Sequence, residues 1–189
     1  GGLIAALPEY LQAARQWTER YGALLIFDEI ISAFRFSAGP AAAAYGIQPD
    51  LMTVGKIIGG GMPVAAVAGR AEIMRICGRE GGRLARFEGG TYSAHPLSML
   101  AGVTMLRHLI EHATEIYPRL AALGERARQE AQAAFAEEGI VVHLSGRPGA
   151  VLPGSSMLSL HFPLEAGAES DLPDVINDPA RYDLSLIHI

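Results

Sequence analysis

The chain has 189 residues, of which 50% are apolar and 19% charged, and a formal net charge of −5. This composition suits a folded soluble domain with a sizeable core and excludes a disordered chain. Apart from a mildly basic stretch from Arg75 to Arg86 the charges are scattered, which argues against a nucleic-acid surface. No apolar run reaches the length of about 18 residues that a membrane span requires. The single cysteine, Cys77, excludes an internal disulfide and fits a reducing, cytoplasmic setting.

In chain order, residues 8–21 predict a helix: Pro8 suits a first turn, Leu11, Ala14, Trp17 and Tyr21 recur at helical spacing, and Gly22 supplies the stop. Residues 23–27 form a short continuous apolar run, the pattern of a strand buried on both faces of a parallel sheet. Residues 51–54 and 64–68 predict two more such strands, followed by a short helix over 71–77. The glycine-rich stretch 78–92 reads as a long loop. Helices are expected again over 96–113 and over 115–138, the second kinked at Pro118 and ended by Gly139. Two short strands, 140–144 and 157–162, flank a stretch with Gly and Pro. A composition shift near residue 114 separates an α/β part from a smaller α+β part, and the apolar end 184–189 reads as a truncated helix or a non-native tail.

Two charges stand at the ends of apolar strands. Leu24-Leu-Ile-Phe-Asp-Glu-Ile30 runs into Asp28, and Asp50-Leu-Met-Thr-Val-Gly-Lys56 runs into Lys56, just before Gly59-Gly-Gly61. A carboxylate and an amine so placed suit pyridoxal phosphate, whose aldehyde condenses with a lysine and whose ring nitrogen needs an acid to keep its proton. The competing readings are a surface lysine at a strand end and a helix-capping or salt-bridged aspartate, a role that Glu29 could fill next door. Ile30 would turn to the same side as Asp28, against a ring face or simply into the core.

Apolar residues followed by Asp-Glu also describe the Mg-binding strand of a P-loop ATPase. That enzyme needs Gly-x-x-x-x-Gly-Lys-Ser/Thr upstream, whereas Lys56 is followed by Ile57 and lies after the acids. In Gly89-Gly-Thr-Tyr-Ser-Ala-His-Pro96, glycines and the Thr91 hydroxyl at a helix entrance form a reasonable phosphate grip. Capping by Ser93 explains part of the same string. His95 reads as structural before it reads as an acid–base group, and the histidines have no metal-ligand spacing.

These four motifs, in this order and with Gly59-Gly-Gly-Met-Pro-Val-Ala-Ala66 among them, resemble the class III aminotransferases, and within them the glutamate-1-semialdehyde aminomutase-like branch. The resemblance covers about residues 2–162. It implies an α/β fold, the pyridoxal-phosphate-dependent transferase fold type I. Residues 1–113 would be part of the large, mostly parallel-sheet domain, and 114–183 part of a smaller C-terminal α+β domain. It implies a homodimer with active sites at the interface and a small-molecule amino donor and acceptor. Lys56 matches the Schiff-base lysine, Asp28 the partner of the pyridine nitrogen, Ile30 the residue on the ring, and Thr91 the threonine that reaches the phosphate of the partner subunit's cofactor. The resemblance leaves open a transaminase, an intramolecular aminomutase, or a non-catalytic relative. Ala33 and His95 stand where the family has Gly and often Asn. Family members are much longer, so this piece alone is expected to be inactive and poorly soluble.

Overall fold

The computed structural model describes residues 6–77, 90, 92–145 and 156–163. These divide into two compact units, one spanning Leu7–Ile116 and the other made of Ala6 together with the described residues from Tyr117 onward.

The first unit opens with helix α1 (Pro8–Arg20), started by Pro8 and closed by Gly22 at φ 64°. The left-handed glycine lets the amides of Gly22 and Ala23 turn back onto the carbonyls of Glu19 and Thr18, which satisfies two acceptors at the helix end. The apolar spacing of α1 identified the helix but not what covers it. Leu11 and Ala14 are half-buried, whereas Trp17 and Tyr21 are exposed.

Strand β1 (Ile26–Asp28) lies parallel to β2 (Leu51–Val54), with Ile26 opposite Leu51 and Asp28 opposite Thr53. Between them run a turn and the short helix α2 (Ala41–Ala44). Strand β3 (Ala66–Gly69) pairs with the far side of β2 in the antiparallel sense, giving the order β1-β2-β3. Two strand readings therefore change. The third strand is antiparallel, because the chain makes only a short turn between Val54 and Ala66 rather than a crossover. Neither the first nor the third is buried on both faces: Ile26 is 57% exposed and all four residues of β3 are exposed, since no described layer covers them.

Helix α3 (Ala71–Met74) follows, and then α4 (Pro96–Glu111), which packs on the turn after β2. The core of this unit is small, with Ala33, Ala42, Ile47, Ile58 and Leu109 buried.

Helix α5 (Ala113–Glu137) follows α4 after His112 and continues through Pro118. In the second unit it lies against an antiparallel pair, β4 (His143–Ser145) and β5 (Ser159–His161). Arg128 donates from Nη1 to the Met157 carbonyl at 3.0 Å, and Phe135 meets Phe162 edge-on at 5.3 Å. His161 is buried, and its Nε2 lies 2.9 Å from Ser145 Oγ. Burial pushes this imidazole below the usual histidine range, with His143 on the facing strand adding to the effect. The expected loop over 78–92, the stretch 146–154 and the tail 184–189 lie largely or wholly outside the described residues.

Candidate active site

Parallel pairing of β1 and β2 brings two strand ends to one edge, which is where open α/β sheets bind ligands. Asp28 is the last residue of β1 and is exposed there. Its Oδ1 accepts from the Ile30 amide at 3.1 Å, an Asx turn that ends the strand, and from the Thr53 hydroxyl at 3.1 Å. Lys56 lies three residues beyond Thr53, so at most about 10 Å further along the chain. It opens a 3-10 turn, Lys56–Gly59, and is itself exposed.

Lys56 has φ 49°. The left-handed region costs a side-chain-bearing residue roughly 1–2 kcal/mol, and such strain tends to gather at functional sites. Among the described residues the Lys56 amine has no hydrogen bond or ion pair, and Asp28 does not pair with it. Ile30 approaches the same turn: its Cγ2 lies 3.5 Å from where a Cβ on Gly55 would stand. Asp28, Ile30 and Lys56 therefore share one edge of the sheet. Thr91 lies outside the described residues.

The supporting groups separate from the candidate reactive ones. Glu29, next to Asp28, is buried, and its carboxylate accepts from Ser32 Oγ at 2.7 Å and from the amides of Ala41 and Ala42 at 2.9 and 2.8 Å. It therefore ties the turn after β1 to the start of α2, the structural role open to it from its position. Ala33 is buried, and its amide continues that turn to the Glu29 carbonyl; the left-handed residue is Phe34, at φ 59°. A β-carbon at position 33 therefore fits without strain.

His95, rather than Ser93, caps α4. The Ser98 amide donates to its Nδ1 at 3.4 Å, which leaves the proton of the neutral ring on Nε2. Ser93 instead sits in a turn, its amide bonded to Gly90.

Sequence reasoning passed over Thr53 and Asp50. Thr53 is the polar residue of an apolar strand, and register alone makes it the neighbour of Asp28. Asp50 is buried at the entrance of β2, where it accepts from the Leu25 amide at 2.7 Å and from Arg70 Nη1 at 2.8 Å, with Arg15 Nη1 at 3.0 Å. The Leu25 amide, then Arg70, hold its carboxyl down to about 2. Its Asp-Leu context resembles a plain loop, and its partners lie 20 or more residues away.

Comparison with known proteins shows the family of the chain. The family model for aminotransferase class-III matches residues 1–152. A glutamate-1-semialdehyde 2,1-aminomutase of Desulforudis audaxviator is 37% identical over 182 residues, which is 96% of this chain and 39% of that protein. The crystal structure of an omega-transaminase from Sphaerobacter thermophilus superposes with a TM-score of 0.76 at 37% identity, over 93% of this chain and 36% of the other. A solved transaminase with PLP bound gives a TM-score of 0.71 at 33% identity, over 84% of this chain and 35% of the other. The chain thus spans little more than a third of the length of the relatives it matches. Its fold is that of these pyridoxal-phosphate-dependent transaminases, fold type I, and the chain belongs to the class-III aminotransferase family.

Proposed function

We propose that the protein to which this chain belongs moves an amino group with pyridoxal phosphate, held through Lys56 and Asp28. The observation that carries this reading is the shared strand edge: an amine and a carboxylate at the ends of neighbouring parallel strands, neither engaged with the other, in a chain of this family. The donor set suits the cofactor, because an unpaired amine can bind its aldehyde covalently and a free carboxylate oxygen can accept from its ring N–H. When bound, the cofactor supplies an electron sink for the carbon that carries the amine.

The residues divide the work. Lys56 Nζ would hold the aldehyde and, once released by the incoming substrate amine, would be free to take a proton from the amine-bearing carbon of the substrate. Asp28 would keep the ring nitrogen protonated, and Ile30 would lie against a ring face. Thr91 binds phosphate, reaching the partner subunit's cofactor in a homodimer. The substrates are small amino donors and acceptors, and the setting is cytoplasmic. Family membership removes the ATPase reading.

Borohydride treatment of the full-length protein followed by peptide mapping tests this. The label is expected on Lys56, and Lys56→Ala should lose both the label and the absorbance at the visible–ultraviolet border. Label on another lysine overturns the role of Lys56, and no label at all overturns the reading and leaves a non-catalytic relative.

An intramolecular aminomutase is the second reading, favoured by the 37% identical relative of that name, while the solved neighbours are transaminases. Turnover of a single substrate with no second amino compound separates an aminomutase from a transaminase, which requires a donor and an acceptor.

A further inference from the structure

Across the parallel pair, Asp28 and Thr53 occupy the same register position. The Thr53 hydroxyl and the Ile30 amide both donate to Asp28 Oδ1, each at 3.1 Å. A carboxylate oxygen has two lone pairs, so both acceptor sites of Oδ1 are engaged. Oδ2 accepts no bond among the described residues.

We propose that Thr53 is a positioning residue: by holding Oδ1 of Asp28, it leaves Oδ2 as the oxygen aimed at the ring nitrogen of the bound cofactor. The proposal rests on the reading of the site as a pyridoxal phosphate site. Rotation about the last torsion of an aspartate is soft, so a carboxylate held at one point swings. Two donors on one oxygen remove that freedom. The N–H of a charged ring then meets a carboxylate already aligned, and alignment sets the strength of such a bond.

The Ile30 amide belongs to the backbone turn that ends β1, so among the described residues the side-chain part of this support is Thr53 alone. Its own backbone carbonyl accepts from the Glu29 amide at 2.9 Å, a bond that no side-chain substitution removes. Exchanging the hydroxyl for a methyl therefore leaves the β1–β2 ladder in place.

The test uses the full-length holoenzyme and its apo form. Thr53→Val keeps the shape and removes the donor, Thr53→Ser keeps the donor, and Thr53→Ala checks that any effect of Val is not steric. Cofactor affinity is measured by titrating apo-protein. The protonation of the ring nitrogen is followed by the nitrogen-15 shift of labelled cofactor across pH. Val and Ala are expected to weaken cofactor binding by about tenfold, the effect of losing roughly one hydrogen bond to a charged group. They should also release the ring proton at lower pH than the wild type, and Ser should restore both. All variants should still take the borohydride label on Lys56 and unfold at the wild-type urea midpoint.

An unchanged affinity and nitrogen-15 profile in Val and Ala, with Lys56 labelled, overturns the positioning role alone. So does a Ser variant that behaves like Val. Absence of label on Lys56 in the wild type overturns the cofactor reading and this inference with it.

Discussion

Asp50 draws three chain segments onto one carboxylate: Arg15 from α1, the Leu25 amide that leads into β1, and Arg70 from the end of β3. The Leu25 amide and then Arg70 favour its ionised form, so its carboxyl titrates at about 2 in the folded chain against 3.8 for an ordinary aspartate. A group held down in this way binds its proton more readily when unfolded. Its contribution is therefore present in full above about pH 4 and is lost as the pH falls toward 2. We expect the urea midpoint of the full-length protein to fall more steeply from pH 5 to pH 2.5 than that of Asp50→Asn, which should also be less stable at pH 7. Parallel curves for the two proteins would show that Asp50 titrates alike folded and unfolded. Glu29 does similar structural work by a different route, through two amides and a hydroxyl. Of the adjacent acids, it is Asp28 that keeps an oxygen free.

The element that presents Lys56 is a 3-10 turn braced from one side by α4. Ile58 of that turn is buried, and a Cβ added at Gly102 of α4 would stand 3.1 Å from the Ile58 carbonyl oxygen. The missing side chain is what lets helix and turn approach. Gly102→Leu must therefore push the turn away, and overpacking of this kind costs about 1–3 kcal/mol. If the turn positions Lys56 for the cofactor, part of that cost appears in binding, at about tenfold per 1.4 kcal/mol. The expected outcome is weaker cofactor affinity with the helical circular dichroism retained, and a smaller effect for Gly102→Ala. Unchanged affinity in the Leu variant would mean that the turn holds its shape without α4.

How much of this could be read in the sequence follows from the range of each interaction. Helices α1, α4 and α5 were legible to within about two residues because Pro8, Gly22, Pro96 and Gly139 act on their own neighbours. Asp28 and Lys56 stood out because each ends an apolar run. The direction of β3, the bond between Thr53 and Asp28, the grip of Arg15 and Arg70 on Asp50, and the bracing by Gly102 all join residues far apart in the chain. Apolar patterning locates a strand but carries neither its direction nor its partner.

At the scale of the molecule, more large apolar side chains are exposed than buried among the described residues. Helix α1 has no fully buried residue, and Tyr10 and Trp17 along it and Tyr21 just past its end are 69%, 66% and 75% exposed. Leu24 and Ile26 add to this on the approach to β1 and in the strand itself, and Leu97, Leu100 and Val103 on α4. Scattered apolar residues are normal on a protein surface, but apolar side chains gathered on single elements favour association. At about 25 cal/mol per Å² of apolar surface removed from water, covering several of these side chains together works against the entropy lost on association. The 189-residue chain, expressed alone, is therefore expected to self-associate and to bind a hydrophobic dye in its native buffer. Replacing Trp17 and Tyr21 with lysine should reduce both effects without loss of helical signal, since neither side chain is buried. Light scattering coupled to size exclusion decides the matter. A monodisperse monomer that unfolds cooperatively and ignores the dye would mean that these surfaces need no cover.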